Sequence, residues 1–210
     1  MEKFGNITLY NDDCMEVMKT FKDKQFDLAI VDPPYGININ TNIGRRKGDK
    51  KSEYHKFAGE DKSRPNAEYF RELFRVSKNQ IIWGGNYMTD FLYPSPCWLL
   101  WDKLFSEDVS FAQYEMAWTS FKTSAKKFTK HPTNKFRIHP TEKPVELYKW
   151  ILHNFAKEVD TILDTHFGSL SIGIACHEMG FDLTAIELDK DYYEAGKKRL
   201  IEHQMQLTIF

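Results

Sequence analysis

The segment AIVDPPYG, residues 29–36, ends an apolar run with an acid, two prolines and a tyrosine. Pro33 and Pro34 hold φ near about −65°, and each keeps the preceding residue out of the helical region, so the backbone here is stiff and extended. Because proline has no N–H, acceptors dominate this segment: the Asp32 carboxylate and the neighbouring main-chain oxygens. The pattern therefore predicts a pocket for a ligand group that carries two N–H donors.

The exocyclic amine of a nucleobase is a group of this kind, and its nitrogen is a poor nucleophile because the lone pair is delocalised into the ring. If Asp32 accepts one N–H and the Pro33 carbonyl the other, the nitrogen can pyramidalise and turn its lone pair toward an electrophile. Tyr35 offers a ring on which the base can stack, worth about 1–3 kcal/mol. This chemistry needs no metal. For the motif alone, a strand end followed by a turn is the alternative.

Two further segments could hold a second ligand. Residues 161–189 have the order strand, glycine-containing turn, helix and strand, and Glu187 ends the second strand. This layout is typical of a nucleoside-binding βαβ unit, in which a strand-end acid binds the ribose hydroxyls. HPTEKP, residues 139–144, precedes a helix, where free N–H groups, the helix dipole and Lys143 could hold a carboxylate. Each segment alone is also compatible with an ordinary turn or a capped helix start.

The remaining patterns predict an α/β fold. Apolar runs predict strands, several of them continuous as expected for strands covered on both faces, at residues 7–10, 26–32, 80–85, 97–101, 114–120, 161–165 and 182–188. Helical periodicity separates several of these runs, at residues 66–78, 144–156, 170–180 and 190–206. The alternation predicts a mostly parallel sheet. Residues 36–64 and 121–143 are polar and long, and are predicted to be functional loops.

Composition and charge limit the function classes. With 210 residues, 41% hydrophobic and 28% charged, the chain is expected to form a single domain over 1–210, with no membrane span and a cytoplasmic location. The seven histidines and three widely spaced cysteines form no metal-binding pattern. Residues 45–56 and 122–137 carry net charges of +4 and +6, so a total of −1 leaves −11 on the rest. This asymmetry indicates a polyanionic partner, although two solvated loops would look the same.

In this order, DPPYG, HPTEKP and ILDTHFGSLSIGIA…AIELD resemble the motifs of the permuted group of S-adenosylmethionine-dependent amino methyltransferases that act on DNA. In that group the catalytic tetrapeptide precedes the glycine turn for the cofactor, and YNDDCMEVMKTF is similar to its N-terminal segment. The resemblance extends from Asp13 to about Leu200. It implies a Rossmann-like methyltransferase fold with helices on both faces of the central sheet, and S-adenosylmethionine as the cofactor.

The resemblance also assigns roles by position. The transfer reaction would be carried by Asp32, Pro33, Pro34 and Tyr35. The cofactor would be bound by Asp13, Cys14, Asp32, Thr141, Lys143, Asp164, His166, Phe167, Gly168, Ser169 and Glu187. Among these, Thr141 and Lys143 would hold the methionine carboxylate, and Glu187 would bind the ribose hydroxyls.

The cofactor turn departs from the family's usual Asp-Pro-Phe-x-Gly-Ser-Gly. This chain has Asp164-Thr165-His166-Phe167-Gly168-Ser169-Leu170 at these positions. His166 stands where an aromatic ring usually contacts the cofactor, and its flat imidazole could take that place. Leu170 replaces a glycine beside the ligand. A side chain there could obstruct the pocket, and we expect cofactor binding that is weak but real, because the remaining contacts are spread over three other segments.

In this family an initial Asp in the tetrapeptide usually accompanies methylation of adenine N6, and an initial Ser that of cytosine N4. The expected function is therefore site-specific methylation of a flipped adenine in double-stranded DNA, an activity associated with restriction-modification; whether a restriction enzyme is paired with this chain does not follow from the sequence. The alternatives are methylation of cytosine N4, an RNA base or a protein amide, and a nucleic-acid-binding protein with a degenerate cofactor site. A nucleotide-dependent oxidoreductase is disfavoured, since the acceptor pocket would have no role in it.

The family's usual target-recognition region is much reduced in this chain. Only the basic loops 36–64 and 121–138 are available to contact DNA, and a second subunit, in a homodimer, could supply further contacts. The candidate DNA-binding residues are Arg45, Arg46, Lys47, Lys50, Lys51, Lys126, Lys127, Lys130, Lys135 and Arg137.

Overall fold

The computed structural model describes residues 1–37, 63–105, 112–132, 138–139 and 141–207. Within these ranges the chain forms nine strands and five α-helices. The strands are β1 (Glu2–Phe4), β2 (Ile7–Asn11), β3 (Phe26–Val31), β4 (Ser77–Trp83), β5 (Trp98–Asp102), β6 (Tyr114–Thr119), β7 (Lys126–Thr129), β8 (Thr161–Asp164) and β9 (Asp182–Glu187). The helices are α1 (Cys14–Lys19), α2 (Ala67–Val76), α3 (Val145–Phe155), α4 (Ser171–Met179) and α5 (Lys190–Leu207). None of the helices in these ranges is long and apolar enough to cross a lipid bilayer.

The nine described strands join one sheet in the order β1-β2-β9-β8-β3-β4-β6-β5-β7. The block β2-β9-β8-β3-β4 is parallel throughout, which confirms the predicted α/β class with a mostly parallel sheet. In contrast, β6 runs antiparallel to both β4 and β5. Because its direction is reversed, β6 begins at the edge where the parallel strands end.

Helices cover both faces of the sheet, as predicted. Leu28 and Ile30 of β3 pack in one core cluster with residues of α3, α4 and α5, whereas Ala29 and Val31 pack in a second cluster with α1 and α2. Successive side chains of a strand point to opposite faces, so a strand buried on both sides needs an unbroken apolar run. This burial explains why FDLAIV does not alternate between apolar and polar residues.

Local signals account for the helix boundaries. Asn66 caps α2, because its side-chain oxygen accepts hydrogen bonds from the main-chain N–H groups of Glu68 and Tyr69 at 3.1 and 3.2 Å. Helix α4 ends at Gly180, whose φ of 78° lies in the left-handed region that favours glycine. Proline precedes α3 at position 144, in keeping with its preference for helix starts.

The patterns missed β1 and β7, and β7 corrects the expectation that residues 121–138 form only a loop. Lys126–Thr129 pair in parallel with Leu99–Asp102 at the sheet edge. Half-buried Lys126 and Phe128 alternate with exposed Lys127 and Thr129. Lysines are common on edge strands, where they discourage pairing with other chains, and this polar composition concealed the strand. Most of the predicted loop 36–64, residues 38–62, lies outside the described residues.

Candidate active site

The candidate site lies at the carboxyl edge of the parallel strands, where ligands of open α/β sheets bind. A pocket of about 240 Å³ opens there. It is lined by segments that are distant in sequence: Asp13, Cys14, Asp32, Pro33, Pro34, Tyr35, Glu115, His139, Thr141, Glu142, Lys143, Tyr148, Thr165, His166, Phe167, Gly168, Ser169, Glu187, Leu188 and Asp189. The tetrapeptide and most of the predicted cofactor residues therefore meet in one cavity.

Asp32 follows β3 directly, and both of its carboxylate oxygens accept hydrogen bonds. The Tyr35 hydroxyl donates to Oδ1 at 2.6 Å, and the Lys143 ammonium donates to Oδ2. Burial raises the pKa of Tyr35 well above its usual value, with the Asp32 charge as a further cause, so the hydroxyl keeps its proton and remains a donor. The carboxylate is thus oriented by protein donors.

The Tyr35 ring packs against two neighbours beyond β4. It is stacked on Tyr87, with the ring centroids 5.4 Å apart and an interplanar angle of 20°. Gly84 has a φ of 67°, and a Cβ there would lie 2.2 Å from the Tyr35 ring. Glycine is therefore required at position 84 both by its conformation and by the close approach of the ring. Stacking of a base on Tyr35 remains a prediction.

Lys143 lies on the same side of the pocket as Asp32. Its Nζ pairs with Asp32 and, at 3.1 Å, with Oε2 of Glu115, and its side chain is 2% exposed. The motif resemblance implies a cofactor role for Lys143, and it implies no role for Glu115. Glu115 lies near the start of the apolar run at residues 114–120. The start of a strand lies at the pocket edge of the sheet only if that strand runs antiparallel to its neighbours, and the sequence pattern does not give the direction.

The opposite side of the pocket holds the glycine turn and the acid that ends β9. Glu187 accepts hydrogen bonds from the main-chain N–H groups of Gly168 and Asp189, both at 2.9 Å. Burial raises the pKa of Glu187. Each carboxylate oxygen retains a further lone pair, so hydroxyl donors of a ligand can still bind there.

Asp164 ends β8 and is not among the pocket-lining residues, whereas His166 lies in the turn that follows and lines the pocket. The main-chain N–H of His166 donates to Asp164 Oδ1 at 3.0 Å, and burial raises the pKa of Asp164 to about 8. Burial lowers the pKa of His166 to about 4, so its imidazole is neutral near pH 7. Its ring meets Tyr69 edge to face, with centroids 5.6 Å apart. His166 therefore offers a flat uncharged ring to the pocket, and its contact with the cofactor remains a prediction.

Leu170 is placed differently from the expectation. Its backbone φ of 56° is left-handed, and its side chain is fully buried in the core rather than among the pocket-lining residues. A Cβ at Gly173 would lie 2.7 Å from the Leu170 Cγ, so the side chain fills the space that this glycine leaves. The predicted obstruction is not observed; the leucine imposes backbone strain instead.

The remaining predicted cofactor residues also surround the pocket. Asp13 caps α1, with Oδ1 accepting from the Met15 N–H at 2.7 Å, and burial raises the pKa of the Cys14 thiol to about 12. Both the main-chain N–H and the hydroxyl of Thr141 contact His139 Nδ1, at 3.3 and 3.1 Å. Burial lowers the pKa of His139 to about 3. Phe167 and Ser169 are buried in the turn itself.

The charge of the site favours a cationic ligand. Among the described residues that line the pocket, six have carboxyl side chains and one, Lys143, has an ammonium. The two histidines are neutral near pH 7 because burial lowers their pKa values. The sulfonium group of S-adenosylmethionine carries a positive charge, so the excess of carboxyl groups in the pocket lining fits this cofactor. No group of three or more described His, Cys, Asp or Glu residues is arranged to hold a metal ion.

The predicted DNA-binding residues are only partly described. Lys126 and Lys127 lie on β7, where Lys127 pairs with Asp102 at 3.3 Å, and Lys130 pairs with Glu146 at 2.8 Å. These pairs are at least partly exposed and therefore weak. The other predicted DNA-binding residues lie outside the described residues: Arg45, Arg46, Lys47, Lys50, Lys51, Lys135 and Arg137.

Comparisons with known sequences agree with this site. Residues 101–198 match the family model described as DNA methylase. Type II methyltransferase M.HinfI of Haemophilus influenzae is 25% identical over 246 residues, covering 93% of this chain and 68% of that protein. YubD of Escherichia coli (strain K12) is 27% identical over 222 residues, covering 92% of this chain and 91% of YubD.

Solved structures share the fold. The M1.HpyAVI–SAM complex matches with a TM-score of 0.61 and 20% identity, covering 92% of this chain and 100% of that chain. PvuII DNA methyltransferase, which is cytosine-N4-specific, matches with a TM-score of 0.61 and 12% identity, covering 96% and 95%. At these identities the likeness shows the fold alone. The family match and the type II relative support similarity to DNA amino methyltransferases, and the solved structure of M1.HpyAVI is a complex with SAM.

Proposed function

We propose that this chain transfers a methyl group from S-adenosylmethionine to the exocyclic N6 amine of an adenine flipped out of double-stranded DNA. One observation carries the proposal: a single pocket is lined on one side by Asp32 and Tyr35, and on the other by Glu187 and the Gly168 turn. The acceptors for an amine and the acid for a ribose thus face a common space. A transfer reaction needs both ligands to be held together in this way.

When bound, S-adenosylmethionine supplies a methyl group from its sulfonium sulfur. The bond between sulfur and methyl breaks in the transfer, and the sulfur becomes a neutral thioether. The amine nitrogen contributes its lone pair to the new N–C bond and then loses one proton. Asp32 accepts an N–H of the amine before transfer and is placed to take the proton afterwards. The hydrogen bonds from Tyr35 and Lys143 hold this carboxylate in one orientation.

The choice of adenine rests on the initial Asp of the tetrapeptide. An acceptor cluster of this type serves any planar amine, and the fold is shared with a cytosine-N4-specific enzyme. Cytosine N4 is therefore the second candidate. The alternative function is that of a nucleic-acid-binding protein with a degenerate cofactor site. Its main support was the replacement of a glycine by Leu170, and the Leu170 side chain lies in the core instead of in the pocket.

The experiment is transfer of a labelled methyl group to double-stranded DNA that lacks methylated bases. The DNA is then digested to nucleosides, and the product is identified by mass spectrometry. N6-methyladenine is expected. N4-methylcytosine would support the second candidate, and absence of label from DNA would contradict both.

Asp32→Ala is the matched inactive variant. Loss of the acceptor should lower turnover by about 10²–10³-fold, the effect of removing a preorganised electrostatic group. Calorimetric titration should show that this variant still binds S-adenosylmethionine, because the Glu187 side of the pocket is unchanged. Turnover that survives this substitution would refute the assigned role of Asp32.

A further inference from the structure

Lys143 is enclosed by oxygen atoms of the protein. Its ammonium donates to Asp32 Oδ2, pairs with Glu115 Oε2 at 3.1 Å and lies 3.5 Å from the Tyr35 hydroxyl oxygen. The hydrogen bonds to Asp32 and to the Tyr35 hydroxyl use two of the three N–H donors of the ammonium, and Glu115 adds an ion pair. The Trp83 ring covers the Nζ atom at 5.1 Å from the ring centroid. Lys143 is therefore directed at the acceptor side of the pocket rather than at a ligand carboxylate.

Glu115 is held in place from two directions. It is the second residue of β6 and lies opposite Trp101 of β5 in the antiparallel ladder. Its Oε1 atom pairs with Lys103, which follows β5. Positive and negative groups thus alternate from Lys103 through Glu115 and Lys143 to Asp32, and the sheet fixes the position of Glu115.

Both members of the central pair are charged. Burial opposes the charge on Lys143, but the carboxylates of Asp32 and Glu115 outweigh it and raise the pKa of Lys143. Burial likewise opposes the charge on Glu115, but Lys143 and Lys103 outweigh it and lower the pKa of Glu115. Removing one charge from such a pair leaves the other buried and uncompensated.

We propose that Glu115 and Lys143 are positioning residues for methyl transfer. Glu115 anchors the protonated Lys143, and Lys143 holds the Asp32 carboxylate in the orientation that accepts the substrate amine. This inference rests on the proposed function, because the carboxylate that it orients is the one assigned to the amine. It places Lys143 with the transfer reaction, whereas the motif resemblance placed it at the methionine carboxylate.

A pH test must consider every titratable or charged group that faces this network. These groups come from the ends of β3, β5, β6 and β8, from α3 and from the segment before it: Asp32, Tyr35, Lys103, Glu115, Tyr148, Asp164, His139 and Glu142. Burial raises the pKa of both tyrosines well above the usual value and lowers that of His139 to about 3. These three groups therefore do not titrate at mildly alkaline pH. Asp164, whose pKa burial raises to about 8, does titrate there, but it is present in both the variant and the unaltered chain.

The test substitution is Glu115→Gln, which keeps the shape and removes the charge. We expect kcat to fall by about tenfold to a hundredfold, because a displaced acceptor can cost about a hundredfold in rate. The Kd for S-adenosylmethionine should not change. The alkaline limb of the pH–rate profile should move to lower pH, because Lys143 loses a carboxylate that raises its pKa. Glu115→Asp, which restores the charge, should recover part of the rate.

Two controls accompany this variant. Glu202→Gln removes an exposed carboxylate on α5, far from the pocket, and should change neither kcat nor the pH profile. Carbon NMR of the lysine Cε, assigned by comparison with Lys143→Arg, measures the pKa of Lys143 without requiring activity. That pKa should be lower in Glu115→Gln than in the unaltered chain.

The outcomes separate this inference from the proposed function. Suppose that the unaltered chain transfers methyl groups to DNA. If Glu115→Gln then has the same rate, or if its rate falls only in parallel with its affinity for the cofactor, the positioning role is wrong and the proposed function stands. If the unaltered chain transfers none, the proposed function fails, and the positioning role fails with it. An unchanged pKa of Lys143 in folded Glu115→Gln overturns the anchoring by Glu115 in either case.

Discussion

At the scale of single residues, the Asp32 carboxylate must be both firmly held and still able to accept. Tyr35 and Lys143 each donate to one of its oxygens. A carboxylate offers about four lone-pair sites, so two remain for an amine. The protein donors therefore orient the group without saturating it, and each donor can be tested by its removal.

Removal of the Tyr35 hydroxyl should loosen Asp32 and leave the ring in place. For Tyr35→Phe we expect kcat to fall about tenfold, since a hydrogen bond to a charged group contributes about 1.5–3 kcal/mol. Tyr35→Ala, which also removes the ring that stacks on Tyr87, should be the slower of the two. Steady-state transfer assays compare them, with Tyr10→Phe on β2 as the control. Equal rates for Tyr35→Phe and the unaltered chain would contradict the orienting role.

Leu170 combines a well-packed side chain in the core with a strained, left-handed backbone conformation. A non-glycine residue in the left-handed region costs roughly 1–2 kcal/mol. Burial of a leucine side chain returns about 1.5–3 kcal/mol. The strained conformation is therefore tolerated because the side chain occupies space against Gly173.

This balance predicts an order of stability. Leu170→Gly should lower the free energy of unfolding by about 1–3 kcal/mol, because the loss of a buried leucine, about 2–5 kcal/mol, exceeds the relief of strain. Leu170→Ala keeps the left-handed φ and loses the packing, so it should be less stable than Leu170→Gly by about 1 kcal/mol. Urea unfolding measures both, and cofactor affinity should be unchanged in both. Tighter cofactor binding by the glycine variant would restore the idea of an obstructed pocket.

At the scale of elements, the antiparallel direction of β6 is the feature that completes the site. A parallel strand in that place would begin at the opposite edge, and Glu115 would lie far from Asp32. The sequence does predict the run YEMAWTS as a strand. It does not predict the direction, because antiparallel pairing here depends on contacts with β4 and β5 that no local pattern encodes.

The basic edge formed by β7 and Lys130 is the described part of the proposed DNA surface. Changing Lys126, Lys127 and Lys130 together to Ala should weaken DNA binding. It should also make the plot of log affinity against log salt concentration less steep, by about 0.9 for each DNA phosphate that a lysine no longer neutralises. A matched control changes Lys22, Lys78 and Lys157, which lie near the starts of β3, β4 and β8 and not on the edge formed by β7. Fluorescence anisotropy over a salt series measures both. A similar loss in the control would indicate only a general charge effect, and cofactor binding should not change in either variant.

At the scale of the whole molecule, the sequence predicted the parts of the site better than their arrangement. The strand-end acids Asp32 and Glu187 were identified because a parallel sheet brings carboxyl ends together wherever they fall in the chain. The contacts of Lys143 with Asp32 and Glu115 were not predicted, because residues 32, 115 and 143 meet only through the packing of β3, β6 and the start of α3. Position along a motif is a local property, whereas a buried ion pair depends on the entire fold.

Burial of titratable groups in and beside this pocket also links their charge to the stability of the whole fold. Burial raises the pKa of Asp164 to about 8, compared with about 3.9 in an unfolded chain. Between these values the folded state binds more protons than the unfolded state, so this residue makes stability fall as pH rises through that range. Burial lowers the pKa values of His139 and His166 to about 3 and about 4, and these residues instead make stability fall as pH decreases below about 6.5.

Asp164→Asn isolates the first contribution, because asparagine can still accept the hydrogen bond from the His166 N–H while it carries no charge. We expect the variant to gain stability relative to the unaltered chain as pH rises from about 4 to about 8, and the gain to level off above that. Urea unfolding over this range measures the difference, and the histidine contributions cancel because both proteins contain them. A difference that does not change with pH would show that Asp164 is already ionised in the folded chain, and hence that the pocket stabilises negative charge more strongly than its burial implies.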